Sequence, residues 1–160
     1  MAGPPPELRE ITADTVVAVC NLRVAKDQQG LVSPAAHTLA EAAYEPDAWL
    51  RAIWLGDRPA GLIAMVDPAR CPADRWTEIQ RDAAYIWRLM VAEGAQGQGL
   101  GSFAIREAIR RAAEWGYASV TLTAAEAPNS AVPFYEKHGF RRTGRILWGD
   151  EPEMRRDPAC

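Results

Sequence analysis

Residues 94–102 read Gly94-Ala95-Gln96-Gly97-Gln98-Gly99-Leu100-Gly101-Ser102, with four glycines in eight positions. The stretch follows the apolar run Leu89-Met90-Val91 and opens an amphipathic segment. Glycines at such a junction let backbone N–H groups surround a ligand without Cβ interference. The start of the following helix adds its positive dipole end and unpaired donors, which together suit a pyrophosphate. A tight turn without a ligand would leave the entropic cost of so many glycines uncompensated. Gly99-Leu100-Gly101-Ser102-Phe103-Ala104 also fits G-x-G-x-x-A, but a dinucleotide fingerprint follows its strand almost at once, and here the glycine lies eight positions after Val91. The chain is too short beyond that point for a doubly wound sheet, and no Lys-Ser or Lys-Thr closes the run as in a P-loop.

Other groups with chemical potential are dispersed. Glu126 follows a predicted strand and can face a cleft. Arg88 sits inside an apolar strand, where a carboxylate is its natural partner. His37 is a lone histidine on a predicted helix, and His138 beside Gly139 reads as a helix-end cap. Glu41 and Glu45 are four apart, on one helical face. The segment Asp150-Glu151-Pro152-Glu153 reads as an acidic loop. Tyr44, Trp49, Trp76 and Trp148 are aromatics able to wall a pocket for a cation.

The elements that must position these groups follow from period and punctuation. Residues 1–7 read as a flexible Pro-containing tail, and residues 8–160 as one domain whose first strand is Leu8-Arg9-Glu10-Ile11. Thr12 or Asp14 caps a helix reaching about Arg23. Ser33-Pro34 predicts a second helix, with Ser33 as cap, ending near Tyr44 ahead of Pro46. Ala48 to Leu55 and Gly61 to Val66 are strands joined by a turn at Gly56-Asp57-Arg58-Pro59. After a loop from Asp67 to Arg81, Ala84 to Val91 is apolar almost throughout, as in a strand covered on both faces. A helix from about Ser102 to Gly116 buries Ile105, Ala108, Ile109 and Ala112 and pairs Glu107 with Arg110 or Arg111 on its outer side. A strand from Ser119 to Ala124, a short helix opened by Asn129 or Ser130 and closed by Gly139, and two strands at Phe140 to Trp148 and Glu153 to Arg155 complete the chain. The order is that of a mixed α/β layer whose sheet is largely antiparallel at its start.

Composition narrows the partners. No run approaches the ~18 apolar residues of a membrane span, and the N-terminus lacks the basic start and apolar core of a signal peptide. The net charge of −3, without a basic patch, argues against nucleic acid. Cys20, Cys71 and Cys160 show no metal-ligand spacing, and a reduced, cytoplasmic setting is the simplest reading, with no metal.

Gln96-Gly97-Gln98-Gly99-Leu100-Gly101 resembles the Q/R-x-x-G-x-G/A signature of the GNAT superfamily of acetyl-CoA-dependent N-acetyltransferases. Tyr135-Glu136-Lys137-His138-Gly139-Phe140 resembles that family's Y-x-x-x-G-F, about thirty-five residues further on. The resemblance spans Leu8 to about Arg155. It implies a mixed, mostly antiparallel sheet flanked by about four helices, with a splay between the fourth and fifth strands. A further resemblance, to bacterial diamine and polyamine (spermine/spermidine) acetyltransferases, rests on Val24-Ala25-Lys26-Asp27-Gln28-Gln29, Leu31-Val32-Ser33, Leu39-Ala40-Glu41-Ala42 and Arg88-Leu89-Met90-Val91.

The resemblance implies roles. Backbone N–H groups of Gln96, Gly97, Gln98, Gly99, Leu100 and Gly101, with Ser102, would cradle the pyrophosphate of acetyl-CoA. Met90 and Val91 would be the backbone partners of its pantetheine arm, and an N–H of one would polarise the thioester oxygen. Tyr135 would be the general acid for the leaving thiolate, and Glu126 is the candidate base beside a water chain. The family's asparagine lies seven positions before this tyrosine. Here the spacing is six, with Pro128 between strand and helix, so Asn129 either contacts CoA or caps the helix. Glu41 and Glu45 would receive the acceptor cation. The implied reaction is acetyl transfer to a primary amine of a small molecule, possible homodimerisation being an analogy. The alternatives are a peptide or protein N-terminal acetyltransferase and a non-catalytic acyl-CoA binding or sensing domain.

Overall fold

The apolar run becomes β4 (Ala84–Val91), the middle strand of seven in a computed structural model that describes residues 3–72 and 74–159. The other elements are β1 (Pro6–Arg9), α1 (Val16–Cys20), α2 (Ala35–Ala42), β2 (Ala48–Leu55), β3 (Arg58–Val66), α3 (Leu100–Glu114), β5 (Val120–Thr123), α4 (Val132–Lys137), β6 (Arg141–Leu147) and β7 (Glu151–Arg156). The hydrogen-bonded order is β1-β2-β3-β4-β5-β7-β6. β4 and β5 are parallel, and their ladder stops at Ile86↔Leu122 although β4 runs on to Val91.

Several boundaries differ from expectation. Pro6 and Glu7, assigned to the tail, belong to β1 and pair with Leu55 and Trp54; Met1 and Ala2 lie outside the described residues, as does Cys160. Thr12 and Asp14 precede a helix that is five residues long. The extended backbone of Pro34 makes it the boundary residue of α2, which leaves Ser33 one position outside. Glu45 is beyond the end of α2, so it does not share a helical face with Glu41. Pro59 enters β3, which shortens the hairpin loop to Gly56-Asp57. The supposed acidic loop is largely β7, and Glu153 within it is fully buried.

The chain forms two units. The first takes in the described residues up to Ala64 together with Arg88–Ala104. Its core is Val19, Leu22, Val24, Ala35, Ala52, Trp54, Leu62 and Met90. Here β3 and β4 approach so closely that a β-carbon on Gly61 would lie 2.5 Å from the Met90 carbonyl oxygen and 3.0 Å from Ile53 Cδ1. Gly61→Ala must push backbone aside and is expected to destabilise the fold by about 1–3 kcal/mol. Denaturant unfolding checks this, and an unchanged midpoint would contradict the close approach.

The second unit comprises Met65–Trp87 and the chain from Ile105 onward. α3 ends in a glycine-closed turn, where Gly116 has φ +94° and the Tyr117 N–H reaches back to the Ala112 carbonyl at 2.8 Å. The register sets the two sheet faces here. Tyr85 pairs with Thr121, Thr121 with Arg155 and Thr123 with Glu153, which places Tyr85, Trp87, Thr121, Thr123, Glu151, Glu153 and Arg155 on one face. The other face carries Ile86, Leu122 and Met154, all buried. The segment between β3 and β4 meets the polar face. Gln80 Nε2 donates to Glu153 at 2.8 Å, Arg145 donates to the Glu78 carbonyl at 2.6 Å, and Arg155 holds Asp82 through two bonds of 2.9 and 3.1 Å. The Arg155 guanidinium lowers the Asp82 pKa and is itself raised. Glu153 also accepts from Thr143 at 2.7 Å and Arg145 at 2.8 Å, so its buried charge is fully partnered.

Candidate functional site

In the first unit, the Ala92 N–H donates to the Ala60 carbonyl at 2.8 Å, and the Met90 carbonyl faces Gly61. Both groups therefore point to β3. Alternation along a strand turns the N–H and carbonyl of the intervening Val91 to the opposite edge. The Val91 carbonyl accepts from Gln96 Nε2 at 3.3 Å, and the same amide reaches Gln28 Oε1 at 2.7 Å. Gln96 thus ties the start of the glycine loop to the end of β4. Residues Glu93–Ala95 form one 3-10 turn, and Gly97 (φ +78°) and Gly99 (φ +79°) take the left-handed conformation that favours glycine. A β-carbon built on either meets nothing within 4 Å, so the space over this backbone is open.

α3 starts at Leu100, and the Phe103 N–H is bonded to the Gly99 carbonyl at 3.0 Å. The N–H groups of Gly99, Leu100 and Gly101 precede that first bond, as at any helix start. The Leu100 side chain is buried, which leaves its backbone as the part available to a ligand. Left-handed glycines, open space and a helix N-terminus fit a pyrophosphate.

Glu41, one of the two carboxylates proposed for the acceptor, is held by Arg88 at 3.2 Å and His37 Nε2 at 3.0 Å. Arg88 therefore finds the carboxylate partner expected of it, and that carboxylate is already neutralised. Tyr44 is 85% exposed and Trp49 lies under the Arg51 guanidinium at 5.0 Å, so these aromatics do not wall a common pocket.

In the second unit, Tyr135 is buried in α4 against Phe134 and Phe140, at centroid distances of 5.3 and 5.7 Å. Burial pushes its phenol up to about 12. The group stays protonated through the neutral range, the state in which it can donate. α4 starts beyond Asn129: Ala131 is the boundary residue, and Ser130 Oγ accepts the Val132 N–H at 3.1 Å. The Asn129 side chain does not cap this helix. His138 Nδ1 lies 2.9 Å from the Phe134 carbonyl oxygen, as expected for a helix-end cap. Glu126 is 58% exposed and ion-paired with Arg142. It lines a cleft of about 260 Å³ with Pro128, Ser130, Pro133 and Glu136. To act as a base it would first have to leave the guanidinium.

Sequence reasoning missed the polar face of this unit. Trp76 packs edge-on against Trp87 at 5.0 Å and lies 6.0 Å from Tyr85 and 6.3 Å from Trp148. Trp148 Nε1 donates to the Tyr85 hydroxyl at 3.0 Å, that hydroxyl lies 3.4 Å from Thr123 Oγ1, and Thr123 donates to Glu151. The alternation Tyr85, Trp87 on β4 and Thr121, Thr123 on β5 was the available signal. Of the four aromatics expected to wall a pocket, Trp76 and Trp148 do converge, brought together by a loop and a hairpin turn. Among the described residues no set of three His, Cys, Asp or Glu side chains converges as metal ligands.

The sequence model of the Acetyltransferase (GNAT) family matches residues 21–140. The chain therefore belongs to this acetyltransferase family. N-acetyltransferase family 8 member 2 of Rattus norvegicus is 28% identical over 92 residues, 58% of this chain and 38% of that protein. Probable N-acetyltransferase family 8 member 5 of Mus musculus is 32% identical over 65 residues, 41% of this chain and 29% of that protein. The matched stretch thus spans about a third of each of these curated relatives. An acetyltransferase from Thermus thermophilus superposes with a TM-score of 0.74 at 18% identity, covering 99% of this chain and 100% of that one. The PaiA N-acetyltransferase from Thermoplasma acidophilum, in complex with coenzyme A, gives a TM-score of 0.69 at 14% identity over 96% and 99% of the two chains. These likenesses show the fold, which is the expected α/β class with a mostly antiparallel sheet, four helices and a parallel β4–β5 pair.

Proposed function

We propose that this chain transfers acetyl from acetyl-CoA to a primary amine of a small molecule by direct attack of the amine on the thioester. The observation that carries this is the glycine loop, open above its backbone and tied by Gln96 to a β4 end whose Val91 N–H turns away from β3. Backbone N–H groups from Gln96 to Gly101, with Ser102, bind the pyrophosphate. Met90 and Val91 flank the pantetheine arm, and Val91 is the one of the pair whose N–H serves as oxyanion donor. A donor of this kind is typically worth about 3 kcal/mol. Tyr135 holds its proton for the departing thiolate. Asn129, free of the capping role, is assigned to CoA contact.

The finer reading of the acceptor is a polyamine, supported by the likeness of residues 24–42 to polyamine acetyltransferases. The test is steady-state thiol release with spermidine, putrescine, a set of monoamines and a peptide bearing a free N-terminus. Release that depends on a small amine supports the proposal, and preference for the two polyamines supports its finer form. CoA binding with no release from any small amine overturns it.

A further inference from the structure

Trp76 (φ +52°) and Trp148 (φ +56°) are the non-glycine residues with left-handed backbone among the described residues. Bulky side chains rarely adopt this conformation, and such strain collects where a side chain must be aimed. Both indoles are aimed at one place, the polar face around Tyr85, where the three rings lie within 6.0 to 6.4 Å of one another. Trp148 remains 38% exposed although its indole N–H is anchored on Tyr85, and its backbone N–H is held by Glu78 at 3.1 Å. Aromatic faces bordered by carboxylates select an organic cation.

Behind these rings lies a line of oxygens. The Tyr85 hydroxyl, fixed by Trp148, lies beside the half-buried Thr123 hydroxyl, and Thr123 donates its hydrogen to the half-buried Glu151. Two positions back on the same face of β5, Thr121 Oγ1 is fully buried with no hydrogen-bond partner among the described residues. Glu153, the neighbouring carboxylate, is committed to Gln80, Thr143 and Arg145, whereas Glu151 is approached through Thr123.

We propose that the acceptor is received as an ammonium ion against Trp76 and Trp148, and that its proton leaves through Thr123 to Glu151. The inference rests on the acetyl-transfer reading above and identifies its base. An N–H bond of the ammonium breaks as its proton passes to Thr123 Oγ1. The Thr123 hydroxyl proton passes at the same time to a Glu151 oxygen, leaving a neutral amine and a carboxylic acid. Glu151 then returns the proton to water. No oxidant or further co-reactant is needed. This assignment replaces Glu126, whose carboxylate is taken by Arg142.

The test compares wild type with Glu151→Gln, Thr123→Val and Thr123→Ser, using an aliphatic primary amine, protonated at pH 7, and an aromatic amine, already neutral there. For the aliphatic amine at pH 7, Glu151→Gln and Thr123→Val are expected to lose about 100-fold in kcat/KM, and Thr123→Ser less than about threefold. The loss should shrink as pH rises towards the pKa of the amine and be small for the aromatic amine, with CoA affinity unchanged throughout. Wild-type turnover in Glu151→Gln and Thr123→Val, or an equal loss with both amines at every pH, overturns the relay and leaves the acetyl-transfer reading standing. A wild-type protein that turns over no amine overturns both.

Discussion

Gly99→Glu is expected to weaken CoA binding by at least about 100-fold, or roughly 2.7 kcal/mol. Two effects combine. At φ +79° any side chain is strained, and a left-handed L-residue costs about 1–2 kcal/mol. The larger effect is electrostatic, because space is open around the β-carbon and the new carboxylate can settle at the start of α3. There it accepts from the N–H groups that would hold the pyrophosphate, and it faces that pyrophosphate as a like charge. Two unit charges about 4 Å apart near a protein surface repel by about 4 kcal/mol. Gly99→Ala carries the strain alone and should keep most of the affinity. Calorimetric titration with CoA checks both variants. An acetyl-pantetheine donor, which has no pyrophosphate, should be used equally well by Gly99→Glu and wild type. Retained CoA affinity in Gly99→Glu would remove the pyrophosphate from this loop.

Tyr135→Phe is expected to lower turnover about 100-fold, the lower end of what a positioned proton donor supplies, while CoA affinity changes little. The ring remains packed against Phe134 and Phe140, so the variant removes one oxygen and little of the core. Pre-steady-state thiol release separates this loss from slow product release, and unchanged turnover would end the role of Tyr135 as acid. The same residue makes an independent prediction about stability. Its phenol ionises near 10 when unfolded and is pushed up to about 12 by burial in the fold. A folded pKa above the unfolded one gives a contribution that is complete below pH 10 and lost as pH rises to about 12. A shift of this size corresponds to about 3 kcal/mol. Denaturant unfolding across this window should show a smaller alkaline loss for Tyr135→Phe than for wild type.

Much of the architecture was legible from local signals. β2 and β4 match their expected bounds, since each is a long apolar run closed by turn residues. Gly116 and Gly139 mark the ends of α3 and α4 because a left-handed residue is needed at each. Helix starts were less legible. Pro34 and Ala131 are the boundary residues where Ser33 and Asn129 or Ser130 were expected, because the turn that delivers the chain into a helix decides which residue adopts the boundary conformation.

For the site, the glycine loop and the tyrosine motif are contiguous in the chain, so residue type and spacing alone carried the assignment to the family and its donor. The status of each charge was not so readable. Glu41 is neutralised by Arg88 across 47 positions, Glu126 by Arg142 across 16, and the apparent acidic loop contains Glu153, buried and held by Gln80 from 73 positions away. A carboxylate reads the same in a sequence whether it is solvated, paired or buried, and long-range pairing settles which. The same holds for the line from Trp148 through Tyr85 and Thr123 to Glu151, which draws on two interior strands, a hairpin turn and the last strand. Spacing along the chain specifies how a backbone wraps an anion. Register across the sheet specifies which side chains stand together to meet an amine.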